Sequence, residues 1–327
     1  MRALRVHEFG GPEVLRVETV PDPQPDRDHA VVAVRAASIN PSDIVNIAGR
    51  FPQTTLPRVP GRDYSGVVVA GPAEWIGEAV WGTGDGGFAV DGSHAELIRV
   101  PVGSLRRKPA SLNYPQAASI GVTFTAAWLG IVTYAALQPG ETLVVIGAAG
   151  GVGGAAVQIG RRIGAQVIGI DRTLPPADAP AARFANRIVT PPPEQAAEVI
   201  RELTSGRGAD VVLNAVGGPT FEPSLNMLTH RGRLAVLASP GQPRQNFNLL
   251  DFYHNESQLF GVDTLKRDMT AAALLLQELS PGFEDGSFQP PIIARTVGLE
   301  DAADAYRAVA AGVPGRVAIL PGAESSR

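Results

Sequence analysis

The sequence predicts an α/β protein in which a doubly wound parallel sheet is inserted into a β-rich domain. Three observations predict it. Short β-branched runs separated by Gly and Pro fill the first hundred residues. Longer strand–helix units follow from about Ser119, and the tail returns to isolated helices and strands. A chain of 327 residues is long for one core, so two domains are expected: residues 1–120 with 263–327, and residues 121–262.

The strands of the outer domain are read from "MRALRVHEF", "EVLRVETV", "HAVVAVRAASI", "YSGVVVAG" and "AELIRVP". In the middle, "TLVVIG" is a buried-type strand, "VGGAAVQIGRRIG" a helix ended by Gly164, and "QVIGID" a second strand. "ADVVLNAVGG", "GRLAVLAS" and "ESQLFGVDTL" supply three more, the last at the sheet edge. The tail offers a helix in "DMTAAALLLQELS", a strand in "PIIARTVG", a helix in "LEDAADAYRAVAAG" and a strand in "GRVAILP" that completes the outer domain.

Composition excludes several functions. A net charge of −4 gives no broad basic field, so nucleic acid is not an expected partner. With no cysteine there are no disulfides, thiolate nucleophiles or cysteine-ligated zinc. The N-terminus shows no secretory h-region, and a cytoplasmic location is expected. The uncharged run at residues 117–137 is long enough to span a membrane, but its Ala, Thr, Ser and Gly content fits a buried helix at a domain junction. The sequon "NES" at Asn255 is read as chance, and no GxSxG elbow supports a serine hydrolase.

The strongest motif is Gly147-Ala-Ala-Gly150-Gly151-Val-Gly153. It follows an apolar strand, opens a helix and leads to a second strand ending in an acid. Pyrophosphate must approach backbone N–H groups at a helix N-terminus, where a Cβ would hold it away. Asp171 stands 18 positions after Gly153, close to the spacing of a ribose-binding acid. Ala149 and Val152 complete the turn, which reads as a dinucleotide site.

Those residues carry a resemblance. "VVIGAAGGVGGAAVQIG", "LQPGET" and "NAVGG" resemble the medium-chain dehydrogenase/reductase superfamily, and within it the quinone oxidoreductase branch. "AASINPSDIVNIAGRFP", "PGRDYSGVV" and "GSHAELIRVP" extend the likeness over essentially the whole chain. The resemblance implies a Rossmann domain inserted in a GroES-like catalytic domain. It also implies cofactor contacts from Thr123, from Asn214, Val216 and Gly217, from Ala238 and Ser239, and from Arg316 in "PGRVAIL", which is similar to a basic residue that reaches pyrophosphate.

Zinc-dependent members hold a catalytic metal with two cysteines and a histidine. Aligned by motif, those positions are Asn40, Arg62 and Val122, and no four-cysteine lobe lies between Gly71 and Gly92. An amide, a guanidinium and an isopropyl group are not zinc ligands, and the five histidines show no paired spacing. No metal is expected. Without a Lewis acid, alcohol oxidation is disfavoured, whereas a quinone or enone spreads the developing charge onto an oxygen that hydrogen-bond donors stabilise. The candidate donors are Asn40, Arg62 and Tyr64, in a cleft with Phe51. Phe51 stands where related enoyl-thioester reductases place a tyrosine proton donor, which weakens that alternative.

The branch mostly uses NADPH, which favours NADP(H). Asp171 would repel a 2′-phosphate and argues for NAD(H), whereas Arg172 beside it can pair with that phosphate. The expected activity is hydride transfer from NAD(P)H to a small quinone or α,β-unsaturated carbonyl. Two alternatives stay open. One is an enoyl-thioester reductase, whose acidic carrier would want a basic patch such as "SLRRKP", read here as a solvated turn. The other is a crystallin-like nucleotide-binding or RNA-binding protein without metabolic turnover. Relatives pair the "ESQLFGVDTL" strand across a two-fold axis, so a homodimer is expected.

Overall fold

The computed structural model describes residues 1–238 and 241–322, which form two compact units, Ala126–Thr264 and Met1–Thr125 with Leu265–Arg327. The smaller unit is a six-stranded parallel sheet. Its order is Arg187–Val189, Gln166–Ile170, Thr142–Ile146, Ala209–Asn214, Leu228–Val236 and Gln258–Gly261, which is 3-2-1-4-5-6 along the chain. This doubly wound order brings the chain back across the first strand, and ligands of such sheets sit at the carboxyl ends beside that reversal. Val144, Ile146, Ile168, Ile200, Val212 and Leu234 fill the core on one face.

The first strand, Thr142–Ile146, is buried at every residue, as its continuous apolar run requires. The helix after it, Gly151–Ile163, ends on Gly164 at φ +94, a left-handed position that glycine adopts without a Cβ penalty. A Cβ on Gly160 would stand 2.5 Å from Leu143, so the glycine lets this helix lie against the strand.

The larger unit is built on His29–Ser38, which pairs antiparallel with Asp63–Ala70, Leu97–Pro101 and Arg316–Ile319. Arg316–Ile319 in turn pairs parallel with Ile293–Val297, so the tail adds two strands to this sheet. Two apolar clusters stabilise the unit. One gathers Leu4, Val6, Ile39, Ile47, Leu299, Tyr306 and Ile319, the other Val32, Val34, Tyr64, Val80, Ile98 and Met269.

Three features depart from the sequence reading. The third sheet strand, Arg187–Val189, was not anticipated; three residues between two proline-rich stretches give no periodicity. The uncharged run is not one helix. It breaks into Tyr114–Ala118 and Gly121–Trp128, the latter passing into a π-helical stretch at Leu129–Tyr134. Among the described residues no helix is long and apolar enough to cross a membrane. "SLRRKP" is a short strand as well as a turn: Arg106–Arg107 pairs with Ala79–Gly82, the exposed Arg107 bonds Glu78 at 3.0 Å, and Lys108 donates to the Pro109 and Leu112 carbonyls.

Candidate functional site

The glycine turn gives each glycine its own reason. Gly147 sits at φ +81, and a Cβ on Gly153 would lie 2.0 Å from the Gly147 carbonyl oxygen, so both are demanded by the backbone itself. Gly150 is different. It occupies the N-cap of Gly151–Ile163 at φ −74, and a Cβ there would meet only the Gly147 oxygen, at 3.3 Å. Local packing therefore tolerates a side chain at Gly150, and what a side chain would fill is the space over the first helical N–H groups. Those groups have no intrahelical acceptors and lie at the positive end of the helix dipole. A pyrophosphate fits this cradle.

Asp171 follows the strand Gln166–Ile170 and turns its carboxylate onto the turn. Oδ2 accepts from Ala149 N at 2.8 Å and Oδ1 from Arg172 N at 2.8 Å. Asn214, fully buried, organises "NAVGG". Its Oδ1 accepts from Val216 N at 2.9 Å and Gly217 N at 2.8 Å, while Nδ2 donates to Thr220 and Ser224. Gly217 stands at φ +71 and Val216 is exposed. Ala238 is half-buried two residues beyond the strand Leu228–Val236, and Ser239 lies outside the described residues.

In the larger unit Asn40, alone of the predicted cleft residues, is hydrogen-bonded into a buried polar cluster with Asp63 and Arg316. Asn40 Nδ2 donates to Asp63 Oδ2 at 3.0 Å, and Val122 N donates to Asp63 Oδ1 at 3.0 Å. Arg316 Nη2 donates to Asn40 Oδ1 at 2.6 Å and to Ser38 Oγ at 2.8 Å, with its guanidinium 4.0 Å from Asp63. Two of the aligned metal positions, Asn40 and Val122, thus meet on one carboxylate, and Arg62 is its chain neighbour. Asp63 and Arg316 were missed as partners because the contact joins residues 253 apart in sequence. The charge pattern of "GRD" and "PGRV" is the only signal, and it is too common to point one at the other.

Arg62 donates from Nε to the Gly84 carbonyl at 2.7 Å and lies over the Phe88 ring, which Phe51 meets edge-on at 5.2 Å. Tyr64 packs in the apolar core beside Gly82, whose Cβ would stand 2.4 Å from the ring, and burial pushes its phenol up. Thr123 turns its hydroxyl back to the Ser119 and Ile120 carbonyls.

Burial dominates the titration of the cluster. It raises Asp43 to about 7, against the pull of the Asn40 N–H, which Asp43 Oδ2 accepts at 2.8 Å, and of Arg62. Asp63 is raised too, and the Arg316 guanidinium is lowered, each moderated by the other. Nearby, His94 Nε2 lies 3.3 Å from the Ser38 carbonyl. That oxygen only accepts, so Nδ1 is the lone-pair nitrogen and takes the Tyr306 hydroxyl hydrogen at 2.9 Å. Burial lowers His94 to about 4, so it is neutral.

This donor set does not fit zinc. The Asn40 oxygen is held by a guanidinium, Arg62 is itself cationic, and Val122 has no donor atom in its side chain. Among the described residues no group of three His, Cys, Asp or Glu is placed to hold a metal ion.

The alcohol dehydrogenase GroES-like domain family matches residues 26–110, and the zinc-binding dehydrogenase family matches 151–278. With the inserted Rossmann sheet they define a medium-chain dehydrogenase/reductase. A zinc-type alcohol dehydrogenase-like protein of Schizosaccharomyces pombe is 33% identical over 321 residues, covering 94% of this chain and 93% of its own. The quinone oxidoreductase of Homo sapiens is 29% identical, covering 98% of both. A mycobacterial protein solved in complex with NADPH superposes with a TM-score of 0.86 at 28% identity, covering 98% of this chain and 100% of its own. The chain belongs to the quinone oxidoreductase-like branch of the superfamily, a branch of oxidoreductases.

Proposed function

We propose that this protein reduces quinones or α,β-unsaturated carbonyls with NADPH and without a metal. The observation that carries the reading is the hydrogen-bonded cluster of Asp63 and Arg316 around Asn40 and Val122, two of the aligned metal positions. Such a cluster offers N–H donors and no Lewis acid. Donors of that strength suit a conjugated acceptor, whose developing charge is delocalised, better than a localised alkoxide. Bound NADPH supplies the hydride. Asn40 donates to the acceptor oxygen as charge develops there, and Phe51, backed edge-on by the buried Phe88, presents an aromatic face to a flat substrate.

On the cofactor side, the Gly150 cradle binds the pyrophosphate, and Arg172 pairs with the 2′-phosphate. Asp171 already accepts two backbone N–H groups, which offsets part of its charge toward that phosphate. NADPH in the mycobacterial relative and the quinone oxidoreductase activity named for the human one support the same reading. The edge strand Gln258–Gly261 forms a homodimer with a second copy. A steady-state screen of quinones, enones and enoyl thioesters with each cofactor tests the proposal. Quinone or enone turnover is expected, and turnover confined to enoyl thioesters would replace it with the acyl reductase reading.

A further inference from the structure

Asn40 lies between a group that only donates and a group that only accepts. Arg316 meets its Oδ1 at 2.6 Å and Asp63 meets its Nδ2 at 3.0 Å. A guanidinium has no acceptor, so Asn40 must turn Oδ1 toward Arg316, which leaves Nδ2 to face the Asp63 carboxyl. The flipped amide would set Nδ2 against Arg316 and Oδ1 against Asp63. An aspartate at position 40 would face Asp63 as a like charge, so an amide is the group this place requires.

Asp63 is fixed in turn. Its second oxygen accepts Val122 N in the first turn of Gly121–Trp128, and Gly121 permits the approach, since a Cβ there would stand 2.3 Å from Asp63 Oδ1. Asn40 N is pinned by Asp43 Oδ2 at 2.8 Å. After these contacts a single Nδ2 hydrogen of Asn40 is left uncommitted. The cation on Oδ1 draws density from the amide and strengthens that remaining donor.

We propose that Arg316 and Asp63 are positioning residues that lock the Asn40 amide so its one spare N–H is presented to the acceptor oxygen. The proposal rests on the reading of Asn40 as the acceptor's donor. It gives Arg316 a role distinct from pyrophosphate ligation.

The test uses Arg316→Met, Asp63→Asn and the double variant Asp63→Asn/Arg316→Gln, which leaves no lone charge buried. With the full-length protein, kcat, acceptor KM and the NADPH Kd by nicotinamide fluorescence are measured for each. The Asn40 side-chain amide is followed by NMR, assigned by its loss in Asn40→Asp. We expect kcat to fall about tenfold to hundredfold in every folded variant while the NADPH Kd holds. The wild-type Asn40 Nδ2 hydrogen that Asp63 accepts should be protected from exchange, and that protection should be lost in the double variant. A folded double variant with wild-type kcat would overturn the proposal. So would an Arg316→Met protein with weakened NADPH binding and intact kcat, which would make Arg316 a pyrophosphate ligand. A wild-type protein that turns over no acceptor overturns the quinone reading instead, whereas a freely exchanging wild-type Asn40 amide overturns the lock alone.

Discussion

The Asp171 carboxylate accepts the Ala149 N–H at 2.8 Å, so the acid ending the second strand braces the glycine turn after the first. An acid at this place is expected to read a ribose; here its carboxylate also holds a backbone N–H of the glycine turn. With two N–H groups on it, Asp171 repels a 2′-phosphate less than a bare carboxylate would. Arg172→Ala then removes a charge-assisted contact worth about 1.5–3 kcal/mol and raises the NADPH KM about tenfold to hundredfold, with NADH little affected. Asp171→Ser, which removes the remaining repulsion, should instead lower the NADPH KM. Steady-state kinetics with both cofactors check this, and the reverse pattern, NADH use damaged by Asp171→Ser, would make Asp171 the ribose ligand.

Two glycines of the same turn should separate binding from stability. Gly150→Val places a side chain in the cradle, with only the Gly147 oxygen near its Cβ. It should abolish NADPH binding at a stability cost of about 1 kcal/mol, the N-cap difference between Gly and an apolar residue. Gly153→Ala drives a Cβ to 2.0 Å from the Gly147 oxygen and should lose about 1–3 kcal/mol or more of stability. Fluorescence titration and denaturant melts of the two variants give the comparison.

Legibility in the sequence followed contact range. Gly147, Gly150 and Gly153 and the strand before them are close in sequence, and their spacing alone defines the turn. The edge strand Gln258–Gly261 was equally legible as the last apolar run of the alternating region. Arg187–Val189 was not, because three residues flanked by prolines show no alternation. In the cluster, Asn40, Arg62 and Val122 were found by motif position, but what each bonds was hidden. The Arg316–Asn40–Asp63 chain depends on pairing His29–Ser38 with both Asp63–Ala70 and Arg316–Ile319, a register that no local pattern specifies. Tyr64 shows the converse: it directly follows Asp63, and strand alternation turns its ring away from the Asp63 side chain into the core beside Gly82.

Asp43 and His94 should give stability–pH slopes of opposite sign. Asp43 rises from 3.8 to about 7 on folding, so the native state holds the extra proton, and its contribution falls as pH rises between those values. His94 drops from 6.5 to about 4, so the unfolded state holds the extra proton, and its contribution falls as pH drops through that window. Each changes stability by up to about 1.4 kcal/mol per pH unit. Relative to wild type, Asp43→Asn should gain stability from pH 4 to 7 and His94→Gln should gain it from pH 6.5 down to 4. Denaturant titrations across pH measure both, and curves parallel to wild type would refute the assignment.

The exposed strand Gln258–Gly261 should pair with its copy. Leu259 on it and Tyr253 in the preceding helix are solvent-exposed in the single chain, and an unpaired edge with apolar residues invites a partner strand. Val262 N donates inward to the Val236 carbonyl, so by strand alternation the Leu259 N–H faces the free edge. Light scattering at micromolar concentration should give a dimer mass, and Leu259→Pro, which removes that edge N–H, should shift it toward monomer. A monomeric wild type would contradict the pairing.

The central claim is metal-free hydride transfer to a conjugated acceptor. The most direct measurement is NADPH oxidation with a quinone on protein whose zinc content is determined on the same sample, before and after chelation. The account predicts turnover without stoichiometric zinc, unchanged by the chelator, and a higher kcat/KM with NADPH than with NADH. Stoichiometric zinc, lost together with activity on chelation, would contradict it.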